Sequence, residues 1–357
     1  MIKLPGLIDP HVHMREPGAT HKENWDTGTS AALAGGVTML LAMPNTSPPI
    51  TDPAALNLAL EAACSRARCD YGQFVGAGPE NAESIARIAD RSAGLKMYLD
   101  STFGPLRLDE MTLWMQHFQH WPKDRPIVAH AERRSMAAVI LLAAIYDRPV
   151  HIAHVSLKEE ILLIKAAKER GLKVTCEVTP HHLFLTAPSA ESAKDGGGMA
   201  GGRGEVCPCL ASRQDVEALW HNLEVIDCFA SDHAPHTTAE KDGSKPPPGF
   251  PGLETTLPLL LTAAGDGRLT IDDIIQKMSI NPRKIFSLPE QDETWIEVDE
   301  NSCYDITAAD MHSRCGWTPY EGWKVKGRLR QVTLRGREAY RDGKLLVEPG
   351  YGRNVRE

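Results

Sequence analysis

Residues 7–13, Leu7-Ile8-Asp9-Pro10-His11-Val12-His13, form a short apolar run closed by two histidines, and their reading decides the fold. In an extended strand alternate side chains share a face, so both imidazoles project the same way and can meet one metal. Seven more short β-rich runs follow, at 37–43, 71–76, 95–98, 127–130, 151–154, 173–177 and 225–231. Helical patterns separate most of them, at 53–66, 108–120, 135–146, 157–170 and 214–223. Such alternation predicts the α/β class with a parallel sheet, and eight units predict a TIM-type (β/α)8 barrel.

Past Pro282 the pattern changes to strands at 332–334 and 338–347, the latter turning at Asp342-Gly343. The expected organisation is a barrel over 1–285 and a small C-terminal β appendage, β-sandwich-like, over 286–357. Two breaker-rich stretches interrupt the barrel. Residues 187–203 are rich in Gly, Ala and Ser and read as a mobile surface loop. Residues 243–252, GSKPPPGFPG, follow the eighth strand and should shape one wall of the barrel mouth.

Composition narrows the function. With 357 residues, 42% hydrophobic and 24% charged, the chain can bury a sizeable core. A formal net charge of −8 speaks against nucleic acid as a partner, and no apolar run is long enough for a membrane span. A small-molecule substrate is the expected partner. Eight cysteines are scattered through a large chain without a signal peptide at Met1, which reads as reduced thiols and a cytoplasmic home. The opening Met1-Ile2-Lys3-Leu4-Pro5-Gly6 runs straight into a strand, as an excised domain would.

Ligand-type residues gather at strand ends. Lys96 lies in an apolar strand, where an unpaired ammonium is costly; an amine with lowered pKa can react with carbon dioxide to give a carbamate that bridges two cations. His130 and His154 end the fifth and sixth strands, and Asp232 follows the eighth. Each alone would be unremarkable, but five strand ends of this kind converge on the catalytic rim of a barrel. Nitrogen and oxygen ligands without thiolates suit zinc.

The string 5–18, Pro-Gly-Leu-Ile-Asp-Pro-His-Val-His-Met-Arg-Glu-Pro-Gly, closely resembles the opening signature of dihydroorotases in the amidohydrolase superfamily. Ala42-Met43-Pro44-Asn45-Thr46, Gly94-Leu95-Lys96 and Ala230-Ser231-Asp232-His233-Ala234-Pro235-His236 extend the resemblance over nearly the whole chain. Its detail is most similar to the animal-type domain of trifunctional polypeptides that also carry carbamoyl-phosphate synthetase and aspartate transcarbamoylase. The resemblance implies reversible cyclisation of N-carbamoyl-L-aspartate to L-dihydroorotate in de novo pyrimidine biosynthesis, neighbouring enzyme domains on one polypeptide, and a homodimer.

It also implies roles. His11, His13, carbamylated Lys96 and Asp232 would hold one zinc, and Lys96, His130 and His154 the other, with Asp232 the catalytic acid and base. Arg15, Asn45 and His236 would grip the substrate carboxylate, Pro248 and Gly249 would complete the binding wall, and Thr102 and Phe103 would form a lid. Glu177 is expected at a third zinc or behind the ligands, whereas His181 and His182 match no ligand position.

Two departures stand out. Cys207 occupies a position where the animal-type pattern has a substrate-binding arginine, and Ala153 one where it has a cysteine. Cys207 keeps open a catalytically weakened or silent scaffolding domain. A hydantoinase, dihydropyrimidinase or allantoinase would keep the metals but would leave Arg15 without an anionic substrate to bind.

Overall fold

The computed structural model describes residues 1–188 and 201–357. Its eight short parallel strands are Leu7–Val12, Val37–Ala42, Asp70–Gln73 continued by Val75–Gly76, Leu95–Tyr98, Ile127–His130, Val150–Ile152, Val174–Val178 and Cys228–Phe229. Each pairs in parallel with the next; the third straddles two segments of sheet, its first half on the second strand and its second half on the fourth. A parallel bridge between Val12 and His233, with His13 N donating to His233 O at 2.8 Å, joins the segment after the last strand to the first strand.

These strands are buried on both faces, so they read as continuous apolar runs. In Val37–Ala42 the two-residue period nevertheless sorts the side chains. Met39 and Leu41 join Ile8, Phe74, Val128, Ala153 and Phe286 in one cluster, while Leu40 and Ala42 join the larger one shared with the helices. The helices form for local reasons. In Pro53–Arg66, Asp52 caps the N-terminus by accepting from Ala55 N at 2.9 Å, proline occupies the first turn, and Leu56, Ala59, Leu60 and Ala63 supply the buried stripe.

Differences from the sequence reading have identifiable causes. The helix expected from 108 starts at Met111, because Leu108 N is used by Tyr98 O at 2.9 Å and the chain there still runs along the fourth strand. Residues 225–227 are not strand: Leu223–Val225 is a 3₁₀ turn, and the Asp227 carboxylate is engaged by Cys176 N at 2.7 Å. His154 stands beyond its strand with φ 35°. The Gly-rich stretch 187–203 lies largely outside the described residues.

The appended sheet is antiparallel, in the order Ile2–Pro5, Trp295–Asp305, Lys324–Leu334, Arg337–Arg341, Lys344–Leu345. Trp295–Asp305 was not legible as a strand. Its pairing shifts register twice, and charged Asp299-Glu300-Asn301 breaks the alternation. The expected turn at Asp342-Gly343 is present, with φ 44° and 85°. Ile296, Val298, Leu329 and Val332 enter the same apolar cluster as Leu33 and Leu253, so sheet and barrel share a core.

Candidate metal centre and substrate pocket

The first strand delivers His11 and His13 side by side. The Nε2 atoms of His11 and His13 lie 3.3 and 3.1 Å from one oxygen of Asp232, and all three residues are buried. Asp232 reaches this spot with φ 43° just past the eighth strand, a left-handed backbone that aims its carboxylate at the first strand. Across the mouth His130 Nδ1 is 2.8 Å from His154 Nε2, and the His11 and His154 ring centroids are 5.3 Å apart. Two nitrogens facing at 2.8 Å need either a proton or a cation between them.

Lys96 is fully buried, and its amine has no hydrogen-bond partner among the described residues. Burial pushes it down to about 8, against the pull of Glu177 and Asp232. Burial likewise lowers His13, to about 4, and His154, whose Nδ1 has no partner. For Asp232 burial works the other way, but the surrounding imidazoles of His11, His13 and His154 outweigh it and hold the carboxyl well below its usual range. Imidazoles at His13 and His154 whose charged form burial disfavours, a carboxyl held ionised and a buried amine without a partner among the described residues make a donor set suited to a divalent cation. The residues present therefore fit a bound cation.

Glu177 sits behind this cluster. One of its oxygens contacts His11 Nδ1 and accepts from His154 N at 3.3 Å; the other is 3.1 Å from His151 Nε2. Glu177 was expected at a third zinc or behind the ligands, but its partner His151 was not anticipated, because a histidine inside an apolar strand carries no sequence mark of what faces it.

A second group of side chains lies beside this cluster. Arg15, also left-handed at φ 60°, donates through Nε to Pro235 O at 3.1 Å, and its Nη2 lies 3.1 Å from His236 Nε2. Lys22 Nζ lies 3.0 Å from His236 Nδ1 and 2.9 Å from Glu240. Burial, then Arg15 and Lys22, press His236 down to about 2, so the ring is neutral between two cations. Among the described residues Arg15 has no carboxylate within salt-bridge distance. Asn45 orients His13, its Oδ1 2.6 Å from Nδ1, and its Nδ2 donates to Phe103 O at 3.2 Å. The half-exposed Phe103 ring stands 5.2 Å from His236 and 5.6 Å from the Arg15 guanidinium, while Thr102 is partly buried beside it. Pro248 O accepts from His236 Nε2 at 3.0 Å, and Gly249 follows at φ 140°.

Sequence reasoning missed Lys22 and Lys241. The ammonium of Lys241 is buried and donates to Glu205 O, Pro247 O and Gly249 O at 2.7, 2.9 and 3.2 Å, fastening two mouth loops together. His182, by contrast, is occupied by Pro208 O at 3.1 Å and Thr179 at 2.8 Å, and His181 packs edge-on against Phe250. Cys207 is partly buried, with Sγ donating to Ser101 O at 3.1 Å.

Residues 2–292 match the model of the amidohydrolase family. The chain belongs to the amidohydrolase family. This amidohydrolase is 56% identical over 356 residues to the multifunctional protein CAD of Squalus acanthias, matching along all of this chain and 16% of that protein. It is 36% identical to the dihydroorotase of Pyrococcus furiosus, over 99% of this chain and 85% of that one. Among solved structures, the inactive dihydroorotase-like domain of a Chaetomium thermophilum CAD-like protein superposes with a TM-score of 0.84 at 29% identity, covering 99% of both chains. An L-hydantoinase from Arthrobacter aurescens reaches a TM-score of 0.91 at 24% identity, over 99% of this chain and 88% of that one, a likeness of fold. The amidohydrolase thus spans about one sixth of the multifunctional relative named above. No helix among the described residues is long and apolar enough to cross a membrane.

Proposed function

We propose that this domain is a dihydroorotase, a hydrolase of cyclic amide bonds that interconverts N-carbamoyl-L-aspartate and L-dihydroorotate in pyrimidine synthesis. The observation that carries the reading is the pairing of two half-sites: a buried His/Asp/Lys cluster beside an arginine that lacks a carboxylate partner among the described residues. A carboxylate-bearing cyclic amide satisfies both. Its place in a longer polypeptide with other enzyme domains is supported by the 16% share of its multifunctional relative. We read the eight strands as a closed TIM-type barrel over 1–285, supported by the Val12–His233 bridge, and 286–357 as an appended unit that Ile2–Pro5 joins.

In this reading zinc ions would be held by His11, His13, Lys96 as its carbamate and Asp232, and by Lys96, His130 and His154. Bound there, they supply Lewis-acid polarisation of the scissile carbonyl and acidify water. The chain's own groups do the rest. Arg15, Asn45 and His236 hold the substrate carboxylate, the guanidinium by its fork of donors. The Pro248 carbonyl fixes the tautomer of His236, and Gly249 lets the wall approach it. Asp232 takes a proton from the attacking water on ring opening and returns it to the leaving nitrogen; ring closure reverses the transfer. Thr102 and Phe103 cover the pocket and exclude water. Glu177 has both oxygens engaged and Ala153 offers no ligand atom, so Glu177 orients His11 and His151 and we assign it no third zinc.

Turnover of dihydroorotate against dihydrouracil tests the substrate: equal or better use of the uncharged ring would sink the assignment in favour of a hydantoinase-type activity. One observation favours a second reading, a silent scaffolding domain. Cys207 offers no charge to a carboxylate, and a structurally similar domain of the Chaetomium protein is inactive. Absence of zinc together with no turnover of carbamoyl aspartate would select it.

A further inference from the structure

Beside the two half-sites, and sharing His130 with the first of them, the mouth holds a third group of ligand-type side chains. The ligand atoms of His130, Glu132 and Cys207 all lie within 4.8 Å of one another. His130 is 1% exposed, and its Nε2, which has no hydrogen-bond partner, lies 3.6 Å from Glu132 Oε1. Glu132 is held in place from behind: its backbone N donates to Asp100 at 2.8 Å and to Ser135 Oγ at 3.0 Å as the helix Arg133–Ile145 begins. From the opposite wall Cys207 brings a thiol whose one protein partner in the described residues is the Ser101 carbonyl. Thiolate, carboxylate and imidazole at this spacing form a set that soft and borderline divalent cations prefer.

We propose that Cys207, Glu132 and Nε2 of His130 form a separate site for a thiophilic divalent cation at the barrel mouth. Binding exchanges the thiol proton, released to solvent, for a sulfur–metal bond, so no oxidant or reductant is involved. A neutral imidazole offers one lone pair. With it on Nε2, His130 serves this site; with it on Nδ1, it faces His154. The two uses exclude each other, and a cation held by Cys207 withdraws His130 from the strand-end cluster. The thiol's resistance to ionisation, raised to about 12 chiefly by burial and then by Glu132, leaves it a poor nucleophile without preventing displacement of its proton by a metal.

Cadmium is the probe, added to the purified protein while the ultraviolet sulfur-to-metal charge-transfer absorption is followed. The expected result is a band saturating at about one equivalent. It should be abolished in Cys207→Ser, weakened at least about tenfold in affinity in Glu132→Gln, and unchanged in Cys209→Ser, the exposed thiol two residues on. No saturating band in the unaltered protein, the same band in Cys207→Ser, or unaltered affinity in Glu132→Gln would overturn the site. The measurement contains no substrate, so its failure and that of the dihydroorotase reading are separately visible.

Discussion

Lys96 is the residue on which the proposed chemistry turns. An amine buried without a partner among the described residues is costly, and conversion to a carbamate held by cations would remove that cost and supply a ligand. Lys96→Ala is therefore expected to lose at least one metal and nearly all activity; retention of both zinc ions by elemental analysis would refute the bridge. Asp232→Asn keeps the shape but not the basicity. It should leave the thermal transition in place and lower turnover by about 10²–10⁴-fold; undiminished turnover excludes its proton-transfer role. These residues were legible because each lies in or just past an apolar run that reads as a strand. His151 and Lys22 were not, since nothing next to them in sequence indicates the distant groups they face; Glu177 was expected at the mouth, but without its partners.

At the scale of elements, the mouth is built by loops whose rigidity is imposed from outside. Lys241 ties the carbonyls of 205, 247 and 249, and a Cβ at Gly249 would stand 2.5 Å from Ala234 O and 3.2 Å from His236. Gly249 also sits at φ 140°, a conformation side-chain-bearing residues avoid. Gly249→Ala should therefore displace His236 and reduce kcat/KM for dihydroorotate about ten- to hundredfold, with the far-ultraviolet circular dichroism unchanged. Equal kinetics in the variant would show that the wall does not position the ring. The proline-rich composition of 243–252 foretold a shaped wall; the lysine that fastens it came from a polar run resembling any exposed turn.

Across the whole molecule, barrel and appended sheet are coupled by core and by charge. Arg335 pairs with Asp70, and Arg356 donates to Ser92 O, Ser287 O and Phe286 O, so the C-terminal tail clamps the barrel. His312 lies 3.0 Å from Glu254 and 3.3 Å from Gly343 O in the hairpin turn. Its bond to Glu254 raises the imidazole above its ordinary 6.5, against the effect of burial. A raised folded-state value stabilises fully below the unfolded pKa, and the contribution fades as pH rises through the folded one. His312→Gln should thus cost roughly 0.5–1 kcal/mol in urea unfolding near about pH 5.5 and less near about pH 9. A gap that widens towards alkaline pH would contradict the pairing.

By itself the sequence determined the alternation of strand and helix, the placement of His11, His13, Lys96, His130, His154 and Asp232 in or just past strands, and the hairpin at 342–343. Those follow from the two- and 3.6-residue periods and from turn chemistry, which are properties of neighbours along the chain. Only the tertiary structure decided which nitrogen of each imidazole faces which partner, that Glu177 supports His11, that Ile2–Pro5 crosses to the appended sheet, and that Cys207 meets Glu132. Desolvation and pairing arise from groups scores of residues away, and local patterning carries no record of them.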